Sequence, residues 1–145
     1  MAVRMELSRI LIRELNDMQI IELRETAEGQ QAGSEEGKGR TFPIVIGLPE
    51  AHAIERRLKG IQVKRPQTHD LLASVIEKLG GKLESITIND LSEHTFFATL
   101  DVRDRSGEVV RIDSRPSDAI ALGIAGDVPI YVAEHVLDAA MSEEP

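Results

Sequence analysis

The sequence predicts an α+β fold: a single domain with antiparallel or mixed sheets and a duplicated strand-strand-strand-helix unit, plus additional helices. Three observations carry this. Stretches with strand-like composition come in clusters, at residues 4–14, 18–23, 42–47, 83–88 and 95–102, instead of each alternating with a helix. Apolar residues then recur at helical spacing, first at Ala51, Ile54 and Leu58. Turn residues mark the boundaries, at Asn16-Asp17, Gly80-Gly81 and Ser106-Gly107.

Taken in order, residues 4–14 carry Met5, Leu7, Ile10 and Ile12 as a strand, and Met18–Leu23 returns after the Asn16-Asp17 turn, a hairpin. Residues 27–40 are polar and glycine-rich without a large apolar group, so they read as a flexible loop. Phe42–Gly47 is a short apolar strand. Pro49 suits the first turn of a helix that Gly60 stops. A second helix follows Pro66 with Thr68 as its N-cap, an apolar stripe of Leu71, Leu72, Val75, Ile76 and Leu79, and Gly80-Gly81 as its end. Leu83–Ile88 and Thr95–Val102 pair as strands across a turn near Ser92-Glu93, and Glu108–Ile112 returns after Ser106-Gly107. The helix expected over 117–125 has no polar face, which predicts burial in the core or against a partner subunit. Val128–Val132 forms a short strand, Ala133–Met141 a last helix, and 142–145 a disordered tail. An offset of 66 residues places Ile46 on Ile112, Ala53 on Ala119, Ile54 on Ile120 and Gly60 on Gly126. This weak repeat underlies the expected duplication.

A chain of 145 residues, 41% apolar and 29% charged, is ordinary for one soluble domain. Its only aromatic residues are Phe42, Phe96, Phe97 and Tyr131, so the core must be aliphatic. The absence of cysteine excludes disulfides, thiolate metal sites and a cysteine nucleophile. Met1–Glu6 lacks the apolar stretch of a signal peptide, and no apolar run nears the roughly 20 residues of a membrane span. A cytoplasmic protein without a membrane partner is expected. The net charge of −8 argues against a broad electrostatic grip on nucleic acid. One basic stripe interrupts this balance, with Arg56, Arg57, Lys59, Lys64 and Arg65 and no acid between Arg56 and His69. It reads as a solvated helix face plus loop.

Polar chemistry gathers at two Arg-Pro junctions, residues 65–70 and 113–118. At the second, a strand leaves through Asp113 and Ser114, and Pro116 or Ser117 opens the apolar helix. Free N–H groups at a helix N-terminus attract anions, and the forked guanidinium of Arg115 suits phosphate. The same residues also make a plain helix start, with Ser117 as N-cap, Asp118 on the helix dipole and Arg115 paired to Asp113. At the first junction Arg65 precedes Thr68, His69 and Asp70. Histidine can act as general base, and His beside Asp is equally a good first helical turn. Should the junctions meet, Arg65, His69, Asp70, Asp113, Arg115, Ser117 and Asp118 would line one pocket. A divalent metal on Asp70, Asp113 and Asp118 is conceivable, but no matching histidine supports it, so the cofactor is left unknown. His52, His94 and His135 carry no comparable pattern. The phosphate-cradling loop, the dinucleotide fingerprint, the nucleophile elbow and the HExxH zinc motif are all missing. Aromatic platforms for single strands are thin, with Phe96-Phe97 alone.

The segments FPIVIGLPEAHAIE (Phe42 to Glu55), RPQTHDLL (Arg65 to Leu72), Thr95-Phe96-Phe97-Ala98, DSRPSDAIALGI (Asp113 to Ile124) and VPIYVAEHVL (Val128 to Leu137), in this order, resemble the bifunctional nuclease domain family, formerly catalogued as a domain of unknown function. The resemblance implies an α+β fold of its own type and nuclease activity on DNA and RNA. It matches Thr68, His69, Asp70, Ser114, Arg115, Pro116, Ser117 and Asp118 to the family signature. The 27–40 loop looks long for the family, and Gly123 interrupts a helix that is usually more regular. With residue chemistry and resemblance together, the expected catalytic residues are His69, Asp70, Asp113 and Asp118. Arg65, Thr68, Ser114, Arg115 and Ser117 are the expected substrate-binding residues, in a phosphodiester hydrolase that is a homo-oligomer. The alternatives are a non-catalytic assembly module with a structural polar signature, and a binder of a small anionic ligand.

Overall fold

The computed structural model of the protein describes residues 2–13, 15–26 and 39–142. Most of the expected loop (27–38) and of the expected tail (143–145) lie outside these residues, whereas Arg40 is placed and Ser142 ends a helix.

Alternating side chains build two antiparallel meanders. The first is β1 (Ala2–Leu11), β2 (Met18–Glu25) and β3 (Thr41–Gly47), and the second is β4 (Lys82–Ser92), β5 (Thr95–Arg103) and β6 (Val109–Ser114). A seventh strand, β7 (Ile130–Ala133), lies between them, antiparallel to β1 and parallel to β4. One mixed sheet results, in the order β3-β2-β1-β7-β4-β5-β6. The β4–β5 turn needs two residues with positive φ, supplied by Glu93 and His94 at 50° and 63°. In the β5–β6 turn, Gly107 adopts φ 91° and the Asp104 carboxylate accepts hydrogen bonds from the Ser106 and Glu108 N–H groups.

The helices are α1 (Leu48–Lys59), α2 (Thr68–Lys78), α3 (Pro116–Gly123, continued by a 3-10 turn at Ile124–Gly126) and α4 (Glu134–Ser142). Register places Leu23 and Phe42, Ile21 and Ile44, and Ile86 with Ile130 and Leu100 on one sheet face. There they are buried with Ile54, Ile120 and Leu137 of the helices. The sheet curls far enough for Phe42 on β3 to stack on Phe96 on β5, with ring centroids 5.5 Å apart. On the other face Ser85, Thr87 and Thr99 donate hydrogen bonds of 2.8, 2.7 and 2.9 Å to the buried carboxylate of Asp101. This satisfies a group whose burial would otherwise be costly.

Of the two places expected for α3 it takes the core, whereas α2 departs from its apolar pattern. α3 is buried along seven of its eight residues, but α1, β4 and β5 of the same chain cover it, so its apolar surface needs no partner subunit. The apolar stripe expected to bury α2 is instead largely solvent-facing, with Leu71 57% and Leu79 72% exposed. The reason is position. α3 holds the place on the sheet, and α2 touches the core only through Ala73 and Ile76 at its margin. Among the described residues no helix is long and apolar enough to cross a membrane.

Candidate active site

Pro116 organises the second junction. A proline disfavours helical geometry in the residue before it, and Arg115 is extended, at φ −73° and ψ 146°, as the N-cap of α3. Ser117 is thus the second helical residue and not the cap, and it is buried. From the cap the Arg115 side chain bends over the first turn. Its Nε and Nη2 donate to Asp118 Oδ2 and Oδ1 at 2.8 and 3.1 Å, and its Nη1 donates to Glu50 Oε1 of α1 at 3.2 Å. The guanidinium is bound on two sides, yet the side chain as a whole remains 62% exposed.

The first junction comes to meet it. Gln67, not Thr68, is the N-cap of α2, since the chain turns helical one residue earlier than expected. The Asp70 carboxylate accepts the Gln67 N–H at 3.0 Å. His69 then faces Asp118, with 2.9 Å between Nε2 and Oδ1. A carboxylate can only accept, so Nε2 is the donor, and Nδ1 is left without a partner among the described residues. Burial raises the pKa of Asp118, but hydrogen bonds from Arg115 and His69 outweigh it and hold the carboxyl below its ordinary value. The same bond to Asp118 raises Arg115.

His69, Asp118, Arg115 and Glu50 therefore form one network across three helix starts. A cleft of about 220 Å³ opens on it, also lined by Pro49, Gln67 and Thr68. On the other side of Arg115 and Glu50 a wider cleft of about 610 Å³ runs past Ser117, Phe96, His94 and the β3 residues Val45 and Gly47. Arg115 stands between the two.

The remaining expected site residues lie elsewhere. Asp70 turns away from the cleft, into ion pairs with Arg57 and with Arg56 at 2.6 Å. The Arg56 hydrogen bond is the main cause that lowers its pKa to about 2. Asp113 projects from the sheet face opposite the helices, paired across from Thr99, and Arg115 bonds Asp118 and Glu50 in its stead. The trio Asp70, Asp113 and Asp118 therefore does not converge on a common metal position. Ser114 donates to the Arg115 carbonyl at 2.8 Å, and Arg65 is exposed without a hydrogen bond or ion pair among the described residues.

Sequence reasoning missed three participants. Glu50 is one, and its signal was a carboxylate right after the helix-opening Pro49. Arg56 and Arg57 are the others, read as solvated although their side chains are only 15% and 10% exposed. Arg57 also donates to the Ala121 and Leu122 carbonyls at 2.5 and 3.1 Å, joining α1 to the end of α3. Only Lys59, Lys64 and Arg65 of that stripe are exposed.

A family profile described as the bifunctional nuclease domain matches residues 33–145 and so takes in every member of this network. The chain belongs to the bifunctional nuclease domain family. Among proteins with which it aligns, an uncharacterised protein of Mycobacterium tuberculosis is 44% identical over 98 residues, 68% of this chain and 57% of that protein. Bifunctional nuclease 2 of Arabidopsis thaliana is 27% identical over 70% of this chain and 32% of its own length. Bifunctional nuclease 1 of the same plant is 24% identical over similar shares. The chain thus spans a little over half of the mycobacterial relative and about a third of the plant bifunctional nucleases.

Proposed function

We propose that the clefts flanking Arg115 form a phosphodiester hydrolysis site for strands of DNA and RNA. The observation that carries this reading is the convergence of His69, Asp118 and Arg115 at one open cleft, in a chain of a family named for nuclease activity. Asp118 accepts from Nε2–H of His69, which leaves the Nδ1 lone pair to act as the general base. Water attacks phosphorus, its proton passes to Nδ1, and the P–O bond to the leaving oxygen breaks, with solvent protonating that oxygen. Arg115, 62% exposed, stabilises charge on the phosphoryl oxygens. Lys64 and Arg65, exposed just before Gln67, contact flanking phosphates.

The decisive assay is hydrolysis of single-stranded DNA and RNA by the purified protein, with magnesium and with chelator. His69→Ala is expected to lower the rate by roughly 10²–10⁴-fold and Arg115→Ala by a similar factor, with unchanged circular dichroism. Equal trace activity in wild type and Arg115→Ala would assign the activity to a contaminant.

A second reading has its own support. Glu50 and Asp118 already balance Arg115, and Asp70, Arg56 and Arg57 brace three helices, as expected of a structural signature in an assembly module. Under that reading wild type is inactive, and Arg115→Ala lowers the unfolding midpoint instead of a rate.

A further inference from the structure

The wide cleft beside Arg115 holds more than the chemistry at phosphorus uses. Ser117 is only 6% exposed, yet its hydroxyl makes no hydrogen bond among the described residues. A buried hydroxyl without a partner calls for an explanation. Ser117 forms part of the wall of the cleft of about 610 Å³, so the hydroxyl faces a space that the polar edge of a ligand can fill. The apolar part of the same wall is equally unspent, with Met18 70% and Val45 58% exposed. Phe96 lies on this wall too, and its ring stacks on the buried Phe42 with centroids 5.5 Å apart. Phe42 therefore fixes Phe96 from the core side and leaves its remaining surface to the cleft, as a preorganised stacking platform. The volume falls within the roughly 300–1,000 Å³ of sites that enclose a small ligand.

Charge decides what enters. Asp17 and Glu50 stand on the wall, and among the described residues that line the cleft Arg115 is the only Lys or Arg. Its Nη1 is already bonded to Glu50. A phosphate pushed inward would meet more negative than positive charge. The phosphate therefore stays at Arg115, which borders both clefts, and the wide cleft takes the uncharged part of the nucleotide. A nucleobase answers each feature of the wall. It brings a flat π face for Phe96, apolar area for Met18 and Val45, and edge donors and acceptors for Ser117.

We infer that the wide cleft is a nucleobase pocket. The base next to the phosphate at Arg115 leaves its stack, lies against Phe96 and Val45, and is hydrogen-bonded at its edge by the Ser117 hydroxyl. The start of α3 thus reads a base through Ser117 and not the anion that its place at a helix N-terminus suggests. This deepens the hydrolysis proposed above and rests on that reading for the phosphate at Arg115. Only an unpaired base reaches the pocket without the cost of opening a duplex, so single strands, loops and ends are the favoured substrates.

The test is fluorescence anisotropy on the full chain with three labelled probes. These are a short single-stranded DNA, a strand of equal length with abasic sugars throughout, and a blunt duplex of the first sequence. The two single strands carry the same phosphates and differ only in what the pocket takes. Electrophoresis after each titration checks that the probes are intact. Wild type is expected to bind the abasic strand and the duplex each about tenfold more weakly than the single strand. Ser117→Ala strands no partner, so its unfolding midpoint should match wild type. It is expected to weaken binding of the normal strand about fivefold and to leave the abasic strand unchanged. Phe96→Leu keeps apolar bulk against Phe42 but removes the flat ring, and is expected to cost about tenfold, again on the normal strand alone. An abasic strand or a duplex bound as tightly as the single strand overturns the inference, and so do variants that affect the normal and abasic strands equally. Base-dependent binding without any cleavage would sink the hydrolysis and leave the pocket, whereas cleavage that ignores missing bases would sink the pocket and leave the hydrolysis.

Discussion

Asp70 and Asp118 each accept two charged or ring N–H partners, but their surroundings assign them different work. Asp118 keeps its partners at the rim of an open cleft, where His69 and Arg115 can still reach a ligand. Asp70 is spent on Arg56 and Arg57, both largely covered by the helices around them. Its pKa of about 2 lies below the ordinary carboxylate value of 3.8, so its contribution to stability is complete above that value and is lost as pH falls towards 2. Some water still reaches the group, so about 2 kcal/mol at neutral pH is a fair magnitude. Asp70→Asn should therefore lower the urea-unfolding free energy by about 2 kcal/mol at pH 7. The gap between variant and wild type should narrow when the same measurement is made near pH 3.

Among the elements, α3 and β3 show how burial and not composition sets the cost of a change. Ile120 is fully buried where α3 crosses the sheet, so Ile120→Ala should cost about 3 kcal/mol in denaturant unfolding. Val45 on β3 is just as aliphatic but 58% exposed, and Val45→Ala should stay within about 0.5 kcal/mol. Equal costs at the two positions would contradict this packing. Gly123 shows why the regularity of α3 ends there. A Cβ at that position would sit 2.6 Å from Ile86 Cδ1 and 3.1 Å from Val128 Cβ, so the missing side chain lets the helix end lie close on β4.

Across the whole molecule, the two meanders share no direct strand pairing. The four-residue β7 joins them, bonded to β1 on one side and β4 on the other, and it comes from near the end of the described chain. A chain ended after Asp127 would lose this strand along with Val136 and Leu137 of α4, all part of the one core. Such a truncation should abolish the single cooperative unfolding transition, measured by circular dichroism against temperature. Retention of a sharp wild-type transition would place the core elsewhere. Arg40 adds a polar tie at the same seam, bonding Glu25 of β2 at 2.6 Å and Glu134 of α4 at 3.4 Å.

Nearly every element was legible from the chain, because alternation, helical spacing and turn residues are local properties. Phe42–Gly47, the stop at Gly60 and the hairpin at Ser106-Gly107 all appear where residue types require them. The polar signature was legible too, as a dense cluster beside a helix with no polar face. What each polar residue faces was not, because that depends on contacts between segments far apart in sequence. Glu50 meets Arg115 and His69 meets Asp118 only once α1, α2 and α3 are packed. Asp113, one residue from Ser114, is turned to the other side of the sheet by strand alternation and the register with Thr99. The apolar stripe on α2 misled for the same reason: periodicity reports which side of a helix is apolar, and only the competition for space on the sheet, won by α3, decides whether that side is covered.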